Sequence, residues 1–141
     1  MEANERFEQI AGRLGELHKR VRRMQENRLA EYNISLLEYH IIIIIMRAGN
    51  VSQSEIAAAL DVDKALVSRQ INAMEKKGLL LREYDPDCRR KNVLSLSEST
   101  LELIPKLRDA HRRSLEYIFS DLDERQINEL QIVLEGLVNK L

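Results

Sequence analysis

The sequence predicts a mainly α-helical domain carrying one small β-hairpin. Three observations lead there. Apolar residues recur at steps of three and four over most of the 141 residues, the spacing of one helix face. Polar starts of capping-box form, Ser35-x-x-Glu38, Ser52-x-x-Glu55 and Asp123-x-x-Gln126, precede apolar runs. Between Leu79 and Leu96 the period changes, and Leu94 and Leu96 alternate with polar residues as in a strand.

The first segment places Phe7, Ile10, Leu14, Leu17, Val21 and Met24 on a heptad-like seam. Such a seam at one terminus is either core or a surface for self-association. Next, Ser35 to Ala48 contains five consecutive isoleucines, Ile41 to Ile45. Their β-branched side chains favour a strand. The capping box and the Gly49-Asn50 stop favour a helix buried on all sides, and the helix is the reading adopted. The run is far too short to span a bilayer.

Glu55-Ile-Ala-Ala-Ala-Leu60 then forms a short helix rich in small residues. Asp61-Val62 is a turn, and Asp63 caps a helix over 64–77 that Gly78 ends. Two short helices joined in this way make a helix-turn-helix pattern. The β-compatible runs 79–84 and 92–96 follow, with Asp85-Pro-Asp-Cys-Arg-Arg-Lys91 between them as a loop too long for a two-residue turn. A hairpin directly after a helix-turn-helix is a wing. Ser97 caps a helix carrying Leu101, Ile104, Leu107, His111, Leu115 and Ile118, which Pro105 should kink or deprive of a hydrogen bond. The last helix sets Ile127, Leu130, Leu134, Leu137 and Leu141 on one face. The expected organisation is a single domain over 1–141, with helices 1–30 and 97–141 flanking a core of 31–96.

Composition narrows the function. The chain is 44% hydrophobic and 32% charged, with five glycines and two prolines, which excludes a disordered or disulfide-stapled protein. One cysteine and no signal-peptide pattern point to the cytoplasm. The histidines His18, His40 and His111 stand on separate segments without metal-binding spacing, and no phosphate loop or nucleophile elbow occurs. No enzyme constellation, metal site or cofactor site is therefore expected. The overall charge of −1 hides a pattern: residues 64–95 carry net +4, while 31–63 carry −4 and 96–141 carry −3. A basic island centred on the second helix of a helix-turn-helix suits a polyanion.

Within helix 64–77, Val67, Ile71 and Met74 mark the core face. Lys64, Ala65, Ser68, Arg69 and Asn72 fall on another. Ala65 and Ser68 permit close approach, Arg69 suits guanine or phosphate, and Asn72 suits adenine or the backbone. Lys64 and the helix N-terminus add positive potential. Ser52, Gln53 and Ser54, at the start of the preceding helix, are placed to hold neighbouring phosphates.

Gln53-Ser-Glu-Ile-Ala-Ala-Ala-Leu60, Val67-Ser-Arg69, Met74-Glu-Lys-Lys-Gly-Leu79, Asp85-Pro-Asp-Cys-Arg-Arg90 and Val93-Leu-Ser-Leu-Ser97 together resemble the MarR-type winged helix-turn-helix transcription regulators. The resemblance covers the chain in element order and length. It implies a homodimer in which the first and the last two helices interleave through Phe7, Ile10, Leu14, Leu17, Val21, Leu130, Leu134, Leu137 and Leu141. It also implies a pseudo-palindromic double-stranded operator, with helix 64–77 in the major groove and the wing, 82–93, in the minor groove through Arg89, Arg90 and Lys91. Many members of that family are repressors released by small aromatic or phenolic effectors. Tyr32, Tyr39, His40 and Arg47 could bond such an acid, and each has an equally good structural role.

The chain departs from the family pattern at one place. An aspartate usually precedes the Arg-Arg pair, and here that position is Cys88, with Asp87 one residue earlier. Either Asp87 takes over bracing an arginine, or the wing is held more loosely. Two alternatives stand beside the DNA-binding regulator: a thiol redox sensor through Cys88, opposed by Asp85 and Asp87 and lacking a resolving cysteine, and a winged helix that binds an acidic protein.

Overall fold

The computed structural model describes residues 2–85 and 87–141, with the backbone alone for Asp85 and residues 88–92. Its elements run α1 (Ala3–Ala30), α2 (Leu36–Ala48), α3 (Gln53–Leu60), α4 (Lys64–Lys76), β1 (Leu80–Asp85), β2 (Cys88–Leu96), α5 (Glu98–Phe119) and α6 (Glu124–Lys140). This is the mainly α architecture with a two-stranded antiparallel hairpin that the sequence predicts. The chain divides into two compact units, Leu29–Arg108, and Met1–Arg28 with Asp109–Leu141. Both divisions fall inside helices, so the first half of α5 belongs with α2 to β2.

In the unit Leu29–Arg108, the isoleucine run is helical. Ser35 Oγ accepts the Glu38 N–H at 3.1 Å, and Glu38 returns the bond to the Ser35 N–H at 2.9 Å. Gly49 closes the helix at φ 78°. Ile41, Ile42, Ile43 and Ile45 are all buried. Propensity against helix costs a few tenths of a kcal/mol per isoleucine, whereas burying each side chain returns about 1.5–3 kcal/mol. Burial decides the conformation. The helix α4 adds Val67, Ile71 and Met74, each fully buried, to the same core.

The end of α4 is a Schellman motif: the Leu79 N–H bonds the Met74 carbonyl and the Gly78 N–H bonds the Glu75 carbonyl, both at 3.0 Å. Gly78 takes φ 76°, which only glycine adopts without strain. The motif delivers the chain straight into β1. Leu80 pairs with Leu96 and Arg82 with Leu94, and Leu80 and Leu94 are buried. The Leu79 carbonyl then accepts the Ser97 N–H at 3.2 Å and the Thr100 hydroxyl at 2.8 Å, fastening the hairpin's base to the start of α5.

The structure departs from sequence expectation at two places in this unit. Residues 85–91 are not simply a loop between the strands. β1 reaches Asp85, β2 begins at Cys88, and these two pair after a shift of register beyond Tyr84. Interstrand backbone bonds do not depend on side-chain alternation, so a bulged ladder continues past the readable pattern. Val51 also bridges to Leu94, whose N–H donates to the Val51 carbonyl at 3.0 Å. As expected of a proline inside a helix, Pro105 deprives the Leu101 carbonyl of an N–H, and α5 runs unbroken through it.

In the other unit, Gln25 and Ser114 are buried, and the Gln25 amide lies 3.4 Å from His111 Nδ1. Every residue of α6 is exposed. The α1 seam is also open in this chain: Phe7, Ile10, Leu14 and Leu17 are 42–65% exposed, and Val21 is half-buried. Leu115 and Phe119 of α5 form an apolar groove with Ile127, Leu130 and Leu134 of α6. No described helix is long and apolar enough to cross a membrane.

Candidate nucleic-acid interface

The candidate site lies wholly in the unit Leu29–Arg108. Asp63 starts α4 by accepting the Ala65 N–H at 3.1 Å. Its carboxylate therefore occupies part of the positive helix end that sequence reasoning offered to phosphate. With Val67, Ile71 and Met74 turned into the core, Lys64, Ala65, Arg69 and Asn72 are exposed and Ser68 is half-buried. Lys76 extends the outward row Ala65, Arg69, Asn72 by one further turn and is exposed as well.

The α3 residues are placed differently from one another. Ser52 Oγ accepts the Glu55 N–H at 3.2 Å, which leaves its hydroxyl proton to donate. Ser54 is exposed. Gln53 is half-buried, and its amide nitrogen is buried without a partner among the described residues. The side chains of Cys88, Arg89, Arg90 and Lys91, and hence the bracing of an arginine by Asp87, lie outside the described residues.

Two contacts that orient α4 were not legible in the sequence. Lys77, just past the helix, donates to the Asn33 carbonyl at 2.8 Å and to both Glu38 oxygens at 3.2 and 3.0 Å. The Glu38 side chain is only 6% exposed, so the pair ties the C-terminal end of α4 to the first turn of α2. On the hairpin side, Arg82 donates through Nη2 to Asn72 Oδ1 at 2.7 Å and through Nε to Glu75 Oε2 at 3.0 Å. Neither pairing has a sequence signal, because the partners are brought together by the turn at Gly78 and by helix packing.

Among the residues named for a small acid, Tyr39 is buried and Tyr32 and His40 are half-buried, while Arg47 is exposed. The Tyr39 and His40 rings lie 5.6 Å apart between centroids. Burial pushes the Tyr39 phenol above its ordinary pKa, against the opposing pull of the Arg108 and Arg47 charges. No cluster of metal-ligating side chains occurs among the described residues.

The sequence model of the MarR family matches residues 34–91, which span α2 to the hairpin and contain the whole exposed face of α4. Residues 34–91 thus carry a MarR-type domain. An uncharacterized HTH-type transcriptional regulator of Bacillus subtilis, YhbI, is 29% identical over 96% of this chain and 87% of its own. The HTH-type transcriptional repressor IacR of Pseudomonas putida is 22% identical over 91% of this chain and 77% of its own. A mutant MarR from E. coli, solved in complex with operator DNA, superposes with a TM-score of 0.85 at 14% identity, over 97% of this chain and 99% of that one. With its MarR-type domain and its regulator relatives, the chain is a DNA-binding transcription regulator.

Proposed function

We propose that this chain acts as a homodimer that reads a pseudo-palindromic operator, with α4 in the major groove and the hairpin residues 82–93 in the minor groove. One observation carries the reading. The row Ala65, Arg69, Asn72, Lys76 is exposed on a helix whose opposite face is fully buried, and the basic stretch 64–95 surrounds it. A small residue at the near end lets the backbone approach base edges, and the polar residues beyond it supply donors. Arg89, Arg90 and Lys91 are assigned to the adjoining phosphates or minor groove, and Ser52 and Ser54 to phosphates beside α3.

The dimer reading rests on the open apolar faces of α1 and α6. Leu130, Leu134 and Leu137 are 37–51% exposed and Leu141 wholly so. An amphipathic helix draws most of its stability from covering such a face. A second copy supplies the cover, and twofold symmetry then matches half-sites about 10 base pairs apart. Resemblance to the IacR repressor favours a repressing role, with Tyr32, His40 and Arg47 as candidate contacts for a small aromatic acid. The cytoplasm is the assigned compartment.

The test is fluorescence anisotropy with a labelled palindromic duplex from upstream of the gene, in excess random duplex. Retained binding that weakens steeply with salt is expected, along with relaxed base preference in Arg69→Ala. Equal affinity for palindrome and random duplex would remove the specific-regulator reading.

A further inference from the structure

We propose that Arg82 is a positioning residue for DNA binding: it holds the Asn72 amide with its NH2 group turned outward, towards an acceptor atom of the DNA. This rests on the DNA reading above and deepens it. An arginine has five N–H donors and no acceptor, so the amide atom that faces it must be oxygen. The 2.7 Å bond from Arg82 Nη2 to Asn72 Oδ1 therefore sets which way the amide lies. Glu75, three residues along the same helix, holds Arg82 Nε at 3.0 Å, so the guanidinium is fixed on two sides. The Arg82 side chain is only 20% exposed, whereas Asn72 is exposed. Of the Asn72 amide, the NH2 is then the group left to present, and purine N7 and phosphate oxygen are acceptors that match it.

A second consequence separates Arg82 from the other cations of the basic stretch. Glu75 engages its Nε and Asn72 one N–H of Nη2, and the side chain is mostly covered, so we assign it to positioning rather than to phosphate. Because Arg82 sits on β1, opposite Leu94 in the ladder, it also locks the hairpin to the recognition face.

The experiment is a double-mutant cycle in operator binding with Arg82→Gln, Asn72→Ala and the double variant, each over a series of salt concentrations. Each single change should weaken binding about 3- to 10-fold, the scale of one neutral hydrogen bond. The double variant should bind no worse than Asn72→Ala alone, and the salt slope of Arg82→Gln should match the parent. Losses that multiply would overturn the proposal, as would a slope flattened by the ~0.9 that one phosphate contact contributes. If Arg82→Gln does not fold, Arg82→Met takes its place in the cycle. Methionine has no donor for Asn72 Oδ1, so parental binding by that variant also overturns the proposal. Replacing operator purines by 7-deazapurines tells the acceptors apart: a loss that disappears in Arg82→Gln assigns N7, and a uniform Asn72→Ala loss on every sequence assigns phosphate. A chain that shifts no duplex overturns the DNA reading and this proposal together, whereas independent losses overturn this proposal alone.

Discussion

Replacing Lys77 by methionine isolates what anchors the end of α4. The substitution keeps most of the stem and removes the ammonium, together with its bonds to the Asn33 carbonyl and both Glu38 oxygens. Glu38 retains the Ser35 N–H but is left as a carboxylate that is 6% exposed and has lost its paired cation. Bonds to charged groups contribute about 1.5–3 kcal/mol, and removing one partner of a fully buried pair costs about 3–5 kcal/mol. Lys77 is 33% exposed, so water recovers part of that loss. The expected cost is therefore ~1–2 kcal/mol, a fall in Tm of roughly 3–8 °C for a chain of this size. The control is Arg112→Met, which breaks ion pairs to Asp109 and Glu116 on a surface where all three side chains are at least 41% exposed. Exposed pairs contribute about 0–1 kcal/mol, so that variant should lie near the parent. Urea denaturation followed by circular dichroism measures both. If Lys77→Met costs no more than Arg112→Met, the claim that burial gives the Lys77–Glu38 pair its strength is wrong.

Other expectations follow from particular residues. Gly78→Ala places a β-carbon at φ 76° with open space around it, so strain alone acts; the loss should be about 1 kcal/mol, read as a lower urea midpoint with an unchanged slope. Tyr39 keeps its proton above the ordinary value of 10.0, so its contribution is intact below pH 10 and declines as the pH climbs through the folded value. Melting from pH 8 to 11 should therefore show an alkaline loss that Tyr39→Phe reduces, and identical profiles would count against the buried phenol. Leu134→Glu puts a charge on the apolar groove and should turn the proposed dimer into a monomer in sedimentation. A variant that stays dimeric would place the self-association surface elsewhere.

Much of this fold was written locally. The capping boxes at Ser35, Ser52 and Asp123 all form, because each needs only residues three apart. Gly49 and Gly78 end helices where the sequence placed their stops, since positive φ suits no other residue as well. The core face of α4 was equally legible, as helical periodicity alone turns Val67, Ile71 and Met74 to one side. What needed the tertiary structure was pairing at a distance. Val51 reaches Leu94, Lys77 reaches Glu38 across 39 positions, and Arg82 turns back to Asn72. A lysine or arginine side chain carries no mark of which carboxylate or amide it will meet; packing chooses the partner. Helical periodicity alone was enough to say which face of α4 is exposed. How that face is held was decided by the assembled fold, because the atoms that orient it come from α2 and β1, distant in sequence and brought together by packing.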